Sequence, residues 1–141
     1  MTSAYPKKIL LAFSSLSGRG LIKELFAQID RKIRIDLALN EPDILSYLLR
    51  SRTRQLPGLL FFDNPPVGPA VVALVENIRR ERLLAEIPII IQLPAVHILT
   101  MKNWLHSKAV YFFREPSQPS EYRRCVRQMF ELYNEPDIRV R

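Results

Sequence analysis

The chain has 141 residues, of which 48% are apolar and 25% are charged. This length predicts one domain, and the composition is typical of a globular protein rather than of a disordered or fibrous one. No apolar run approaches the roughly 20 residues that a membrane helix requires, which argues against a membrane protein. The single cysteine, Cys125, permits no internal disulfide, so we expect a reducing, cytoplasmic location.

Basic residues outnumber acidic ones, with 21 Lys and Arg against 14 Asp and Glu and a formal net charge of +7. Such an excess is compatible with a nucleic acid, an anionic surface or an acidic protein as partner. The basic residues, however, are spread along the chain in short groups. No zinc-finger spacing, recognition-helix signature or aromatic-basic segment accompanies them. We therefore expect solvated surface charge, and neither a nucleic acid nor a membrane as partner.

The apolar pattern alternates between strands and helices along the chain. Segments such as LLFF and IPIIIQL are apolar on both faces, as expected of strands covered by helices on both sides. Asn40 is a suitable N-cap for the second helix, with Pro42 in its first turn. The strands are predicted at 7–13, 32–39, 59–62, 87–93 and 109–113, and the helices at 21–29, 42–49, 70–84, 95–107 and 121–133. This order predicts a doubly wound α/β domain with a mainly parallel sheet.

One carboxylate follows a strand that is otherwise entirely apolar, in the segment LLFFDNPP. In a doubly wound sheet, functional residues collect beyond the carboxyl ends of the strands, where the strand order reverses. Asp63 lies at such an end, as do Ser14, Leu93 and Glu115 after other strands. The sequence therefore predicts that this edge of the sheet is a functional site or the remnant of one.

In this order, the segments LPGLLFFD, IRRERLLAEIPIII and AVYFFREPSQPSEY resemble parts of the receiver domain of bacterial response regulators, the CheY-like family. The resemblance covers about residues 7–133 and leaves 134–141 as a C-terminal tail of a single domain. It implies a flavodoxin/CheY-like three-layer sandwich with five parallel strands in the order 2-1-3-4-5. It also implies a role in two-component phosphorelay signalling, with Asp63 at the phosphoacceptor position.

The same resemblance indicates that the chemistry of the site has been lost. In the family, two acidic residues after the first strand hold Mg²⁺, a Thr or Ser contacts the phosphoryl group, and a Lys pairs with its charge. The corresponding residues here are Phe13, Ser14, Leu93 and Glu115. Mg²⁺ requires charged oxygen ligands, which a phenyl ring and a hydroxyl do not supply. We predict weak or absent Mg²⁺ binding and no other cofactor, although Phe112 retains the family's switch aromatic.

Glu115 has an electrostatic consequence for Asp63. If Glu115 takes the place of the family's lysine, the two carboxylates face one pocket. Burial and mutual repulsion should then raise the pKa of one of them above its ordinary value.

The leading hypothesis is a pseudo-receiver, which is a protein-interaction module and not an enzyme. Because no output domain follows in the sequence, we expect it to act by contact with a sensor kinase or another signalling protein, and a homodimer is left open. In the family, the fourth helix, fifth strand and fifth helix carry such contacts. Aromatic and basic residues suited to an interface are found there: Trp104, Lys108, Tyr111, Tyr122, Arg123 and Arg127.

Two alternatives remain open. The first is an active single-domain response regulator that is phosphorylated on Asp63. The second is a small binder of anions or nucleotides, similar to the FMN-binding flavodoxins, that uses the segment SSLSGRG at 14–20. Backbone N–H groups at a helix N-terminus favour anions, and Arg19 would add a positive charge there.

Overall fold

The computed structural model describes residues 7–14, 16–51 and 55–115. Beyond these ranges it describes only isolated residues or pairs, at 118, 120–121, 123–124, 127–128 and 131. Within the continuous ranges, strands and helices alternate as predicted. The strands are β1 (Lys8–Ala12), β2 (Arg34–Ala38), β3 (Leu59–Asp63), β4 (Ile89–Leu93) and β5 (Val110–Arg114). The helices are α1 (Leu16–Ile29), α2 (Glu41–Arg50), α3 (Pro69–Arg80) and α4 (Ala95–Trp104).

All five strands are parallel and pair in the order β2-β1-β3-β4-β5. The predicted doubly wound sheet with order 2-1-3-4-5 is therefore confirmed. The chain passes from β1 to β2 on one side and then crosses to β3 on the other side of β1. The strand order therefore reverses between β1 and β3. The carboxyl ends of β1 and β3 thus border the crevice in which doubly wound sheets place their sites.

The core consists of two apolar layers, one on each face of the sheet. Successive strand residues point to opposite faces, so Leu60 and Phe62 pack with α2, α3 and α4, whereas Leu59 and Phe61 pack with α1. Strands β3 and β4 are buried along their whole length. The two layers and the sheet between them give the predicted three-layer sandwich.

Local signals also position α2 as expected. The Asn40 side chain accepts a hydrogen bond from the Asp43 N–H at 3.0 Å, and Pro42 lies in the first turn. An N-cap of this kind satisfies one of the free N–H groups that every helix start leaves. The predicted cap is confirmed.

The start of α1 differs from the prediction. The sequence indicated a loop over 14–20 and a helix from 21, but α1 begins at Leu16. Two glycines lie in its first turns and each costs about 1 kcal/mol relative to Ala in a helix. Burial of Ile22, Leu25 and Phe26 against the sheet outweighs this cost. The expectation of a loop over 14–20 is therefore wrong, because most of this segment forms the first turns of α1.

The last predicted helix lies only partly within the described residues. The described positions between 120 and 131 are helical, whereas Tyr122, Cys125 and the tail at 134–141 lie outside the description. In the part of the chain that is described, no helix combines the length and apolarity needed to cross a bilayer.

Candidate functional site

Asp63 is the last residue of β3 and lies at the carboxyl edge of the sheet, as predicted. Its residue surface is only 6% exposed. The next residue, Asn64, turns the chain away with a φ of 52°, a left-handed conformation that Asn adopts more readily than most residues. The Asn64 N–H donates to the Gln92 carbonyl at 2.8 Å, which ties the turn to β4. The backbone thus holds the Asp63 carboxyl in a fixed, largely buried place.

The side chain that contacts Asp63 belongs to Ser14, two residues after β1. The Ser14 hydroxyl donates a hydrogen bond to Asp63 Oδ2 at 2.8 Å, and Ser14 is itself buried. Parallel strands β1 and β3 are neighbours, so the residues after their carboxyl ends meet at one edge. A neutral hydroxyl therefore lies beside Asp63, at a position where the family resemblance implies an acid.

Phe13 belongs to the apolar core rather than to a polar site. Its ring packs edge-on against Phe62, with centroids 5.4 Å apart and an interplanar angle of 80°. Its φ is 65°, an unusual conformation for a bulky residue, and its N–H donates to the Ala38 carbonyl at 3.2 Å. Leu93 is fully buried in the same layer. The side chains at these two positions supply no oxygen ligand or hydroxyl to the site.

Glu115 follows β5 and adds negative charge to the site. Its N–H donates to the Leu93 carbonyl at 2.8 Å, which holds the residue at the carboxyl edge. Burial raises the pKa of Asp63 and the charge of Glu115 raises it further, while the Ser14 hydrogen bond acts in the opposite direction. The net pKa is raised, which confirms the expectation for this pair of carboxylates.

The site as a whole offers no compensating positive charge within the described part of the chain. Described ion pairs involve Asp36 and Glu86, and none involves Asp63. Arg114 is exposed, and the side chain of Arg19 lies outside the description. No group of three His, Cys, Asp or Glu among the described residues is arranged to hold a metal ion. The Asp63 carboxyl, which contacts Ser14 two residues before α1, also disfavours an anion there.

Asp63→Asn is expected to raise the melting temperature near neutral pH by a few degrees. The raised pKa of Asp63 means that its charged form is less favourable in the folded than in the unfolded chain. The stability that Asp63 contributes is thus fully present below the ordinary carboxyl pKa, where the side chain is neutral in both states. It is lost as the pH rises through the raised pKa, because the folded chain must then hold a buried charge. Asn remains neutral, so its advantage should disappear below about pH 4. Melting curves across pH test this.

The matched control for this prediction is Glu76→Gln, which neutralises an exposed carboxyl on α3. It should change the melting temperature little at any pH. Equal stability of wild type and Asp63→Asn at neutral pH would show that Asp63 is not destabilised by its surroundings.

Gln92 is a buried polar residue that the sequence analysis did not single out. It is 0% exposed, and its two amide atoms have no hydrogen-bond partner among the described residues. It pairs in register with Asp63 and lies one strand from the edge of the sheet. The signal in the sequence was a lone amide within the apolar run IIIQL.

Gln92→Met is expected to stabilise the fold by about 1–3 kcal/mol, because an unpaired buried amide costs this much and Met has a similar shape. Denaturant unfolding measures the change. The exposed Gln28 on α1 offers the control Gln28→Met, which should be nearly neutral. A loss of stability in Gln92→Met would instead reveal a polar partner of the amide.

The predicted interaction residues differ in accessibility. Trp104 and Lys108 are exposed, and Lys108 forms an ion pair with Glu86 at 3.7 Å. Tyr111 is half-buried in the core layer between the sheet and α1. Phe112 is half-buried in the layer on the other face of the sheet, with α2, α3 and α4. The described side chains of Arg123 and Arg127 are exposed, and Tyr122 lies outside the description.

The order of the five parallel strands, 2-1-3-4-5, defines the flavodoxin/CheY-like class of doubly wound α/β folds. No family model matches the sequence, and no curated protein matches it. Solved structures do match, at identities that show the fold alone.

Three of these structures illustrate the likeness. The phosphorylated cyanobacterial phytochrome response regulator RcpA has a TM-score of 0.72 at 17% identity, over 90% of this chain and 93% of that one. A response regulator receiver protein from Pseudomonas putida has a TM-score of 0.64 at 20% identity, over 94% and 98%. The chemotaxis response regulator CheY4 of Vibrio cholerae has a TM-score of 0.61 at 18% identity, over 87% and 97%.

Proposed function

We propose that the chain is an atypical receiver domain of two-component signalling, which binds a protein partner without Mg²⁺-dependent phosphorylation of Asp63. The observation that carries this proposal is the surroundings of Asp63. They consist of the Ser14 hydroxyl, the charge of Glu115 and a neighbouring apolar core. The proposed domain core is 7–133, the proposed location is the cytoplasm, and no enzymatic activity is proposed.

Phosphoryl transfer depends on positioning and on neutralising the charge that spreads over the phosphoryl oxygens. A phosphoryl group on Asp63 would meet the negative charge of Glu115 instead of a cation. The raised pKa of Asp63 also increases its protonated fraction at a given pH, and a protonated carboxyl is a poor nucleophile. Each of these features opposes the reaction.

The retained aspartate is what favours the alternative of an active response regulator. Asp63 lies at the carboxyl edge of β3 and next to the crevice, where an acceptor needs to be. That alternative requires Mg²⁺ to bind despite Phe13 and Ser14. A calorimetric titration with Mg²⁺ distinguishes the two, since only the active regulator binds the ion.

The proposed function is tested by affinity capture from the source cell, with wild type and Asp63→Asn as parallel baits. Both baits should retain the same partners in equal amounts, because Asn keeps the shape of Asp63 and the proposal assigns no role to its phosphorylation. A partner lost only from the Asn variant would support the active regulator instead. The partner class expected is a sensor kinase or another signalling protein.

A further inference from the structure

Basic residues that are far apart in the sequence meet at the amino edge of the sheet, where β1 and β2 begin. Lys8 and Arg34 are register partners on these neighbouring strands, which lie about 4.8 Å apart. The Arg34 N–H donates to the Lys7 carbonyl at 2.9 Å. The turn before β2 and the last turn of α2 add further basic residues to this edge. The basic patch consists of Lys7, Lys8, Arg31, Lys32, Arg34 and Arg50.

Asp36 joins the elements that carry the patch. Its carboxylate lies 3.1 Å from Arg34 Nε and 3.8 Å from Lys8 Nζ. It also accepts a hydrogen bond from the Tyr47 hydroxyl, which ties α2 to β2. Helix α2 connects two parallel strands, so it runs back along the sheet and its last residue, Arg50, lies near the amino edge. The patch is therefore a single surface built from two strands, a turn and a helix end.

The positive charge of the patch is only partly compensated. Among the described residues its ion pairs are formed with Asp36, which Lys8 and Arg34 share. Asp30 lies in the turn before β2 and accepts the backbone N–H of Lys32 at 2.9 Å. The remaining basic residues of the patch are exposed and have no ion pair with a described carboxylate: Lys7, Arg31, Lys32 and Arg50. Such a surface attracts a polyanion.

Little exposed apolar surface accompanies this charge. Leu49, beside Arg50, is 63% exposed, and Leu37, near the other end of β2, is 37% exposed. Protein interfaces gain most of their affinity from buried anchors, and stable membrane attachment combines a basic surface with apolar insertion. Binding to the phosphates of a nucleic acid gains its free energy from the release of counterions and requires no apolar anchor. The patch therefore fits a nucleic acid better than a protein or a membrane.

We infer that the basic patch binds the phosphate backbone of a nucleic acid without reading its base sequence. The dispersion of basic residues along the chain predicted solvated charge and no nucleic acid, but the fold brings those of the patch together. This inference goes beyond the proposed function. It involves neither Asp63 nor Glu115, which lie at the opposite, carboxyl edge of the sheet.

The test measures binding of the full chain to a fluorescein-labelled DNA duplex of about 20 base pairs and arbitrary sequence, by fluorescence anisotropy at roughly 50 to 200 mM NaCl. We expect a Kd of about 10⁻⁵ M at the lower salt concentration. About four phosphate contacts give a slope of roughly −3.5 for the logarithm of the binding constant against that of the salt concentration. The affinity should therefore fall about a hundredfold over this range.

The double variant Arg31→Gln with Lys32→Gln removes two charges from an exposed turn. It should reduce the magnitude of the salt slope by about two and weaken binding by about tenfold or more at the lower salt concentration. Lys102→Gln with Arg114→Gln is the matched control, because both residues are exposed and lie on α4 and β5, away from β1 and β2. It removes the same net charge and should leave the slope nearly unchanged.

The inference is overturned if the duplex does not bind at the lower salt concentration. It is also overturned if both double variants lose affinity equally, since net charge and not the patch would then account for binding. Displacement of the labelled duplex by poly-glutamate as effectively as by unlabelled duplex would assign the patch to an acidic protein instead. Binding to phosphatidylcholine vesicles containing phosphatidylserine, with the same loss in the Arg31 and Lys32 variant, would assign it to a membrane. Asp63→Asn should bind the duplex as the wild type does, which keeps this result separate from that for the proposed function.

Discussion

Replacing Arg79 by methionine is expected to lower the free energy of unfolding by about 3–5 kcal/mol. The Arg79 guanidinium, on α3, donates to three backbone carbonyls, those of Lys108 at 3.1 Å and of Leu84 and Ala109 at 3.2 Å. It thereby joins α3, the turn after it and the start of β5. Burial lowers the pKa of Arg79 to about 10, which still leaves it charged at neutral pH. Each hydrogen bond to a charged group contributes about 1.5–3 kcal/mol, partly replaceable by water at a half-buried site.

Chemical denaturation and thermal melting measure this effect, with a drop in melting temperature of roughly 10 °C or more. Arg80→Met is the control, because the neighbouring Arg80 is exposed and its described hydrogen bond is only to Asn77. Arg79→Lys should recover only part of the loss, since an ammonium lacks the planar fork that reaches three carbonyls. Equal stability of the Arg79 and Arg80 variants would show that the carbonyls do not depend on the guanidinium.

The double variant Phe13→Asp with Ser14→Asp is expected to gain a stabilisation by Mg²⁺ that the wild type lacks. The carboxylate at position 14 replaces the hydroxyl that contacts Asp63, and the shorter, charged side chain at position 13 should leave the apolar layer that Phe13 fills and turn towards the site. Together with Asp63 they supply the charged oxygen ligands that Mg²⁺ requires. Asp also adopts the left-handed backbone of position 13, where φ is 65°, more readily than Phe does. Without the ion, repulsion among the carboxylates and loss of the packing between Phe13 and Phe62 should make the variant less stable than the wild type.

Thermal melting with and without Mg²⁺ measures the gain. A ligand at a hundredfold excess over its Kd stabilises the folded state by about 2.7 kcal/mol, which raises the melting temperature by several degrees. Addition of EDTA should reverse the shift in the double variant and leave the wild type unchanged. A similar Mg²⁺ shift in the wild type would show that Phe13 and Ser14 do not prevent metal binding.

The fold was predictable because its main signals are local. The continuous apolar runs of β3 and β4 reflect burial on both faces, and the Asn40 cap marks the start of α2. The site was partly predictable for the same reason, since the carboxyl ends of parallel strands meet at one edge. Asp63 and Ser14 could thus be expected there together, although their hydrogen bond could not.

The features that escaped prediction depend on contacts distant in sequence. Arg79 binds carbonyls up to 30 residues away, which no local pattern shows. The early start of α1 depends on packing of its later residues, which outweighs the glycines in its first turns. Burial of Gln92 was predicted with the rest of 87–93, but no local pattern shows that its amide has no hydrogen-bond partner among the described residues.

The most direct test of the central claim is the intact mass of the wild type after incubation with acetyl phosphate and Mg²⁺. Losing one positioned electrostatic donor typically slows a reaction by about 10²–10³. The resemblance implies three such losses here, with Phe13 and Ser14 in place of two metal ligands, Leu93 in place of a hydroxyl that contacts the phosphoryl group, and Glu115 in place of a cation. The effects need not add, because such residues act as a unit. We predict no phosphoryl mass increment in the wild type, under conditions that fully label a receiver domain with the metal ligands, the hydroxyl and the cation. A phosphoryl group found on Asp63 would contradict the account.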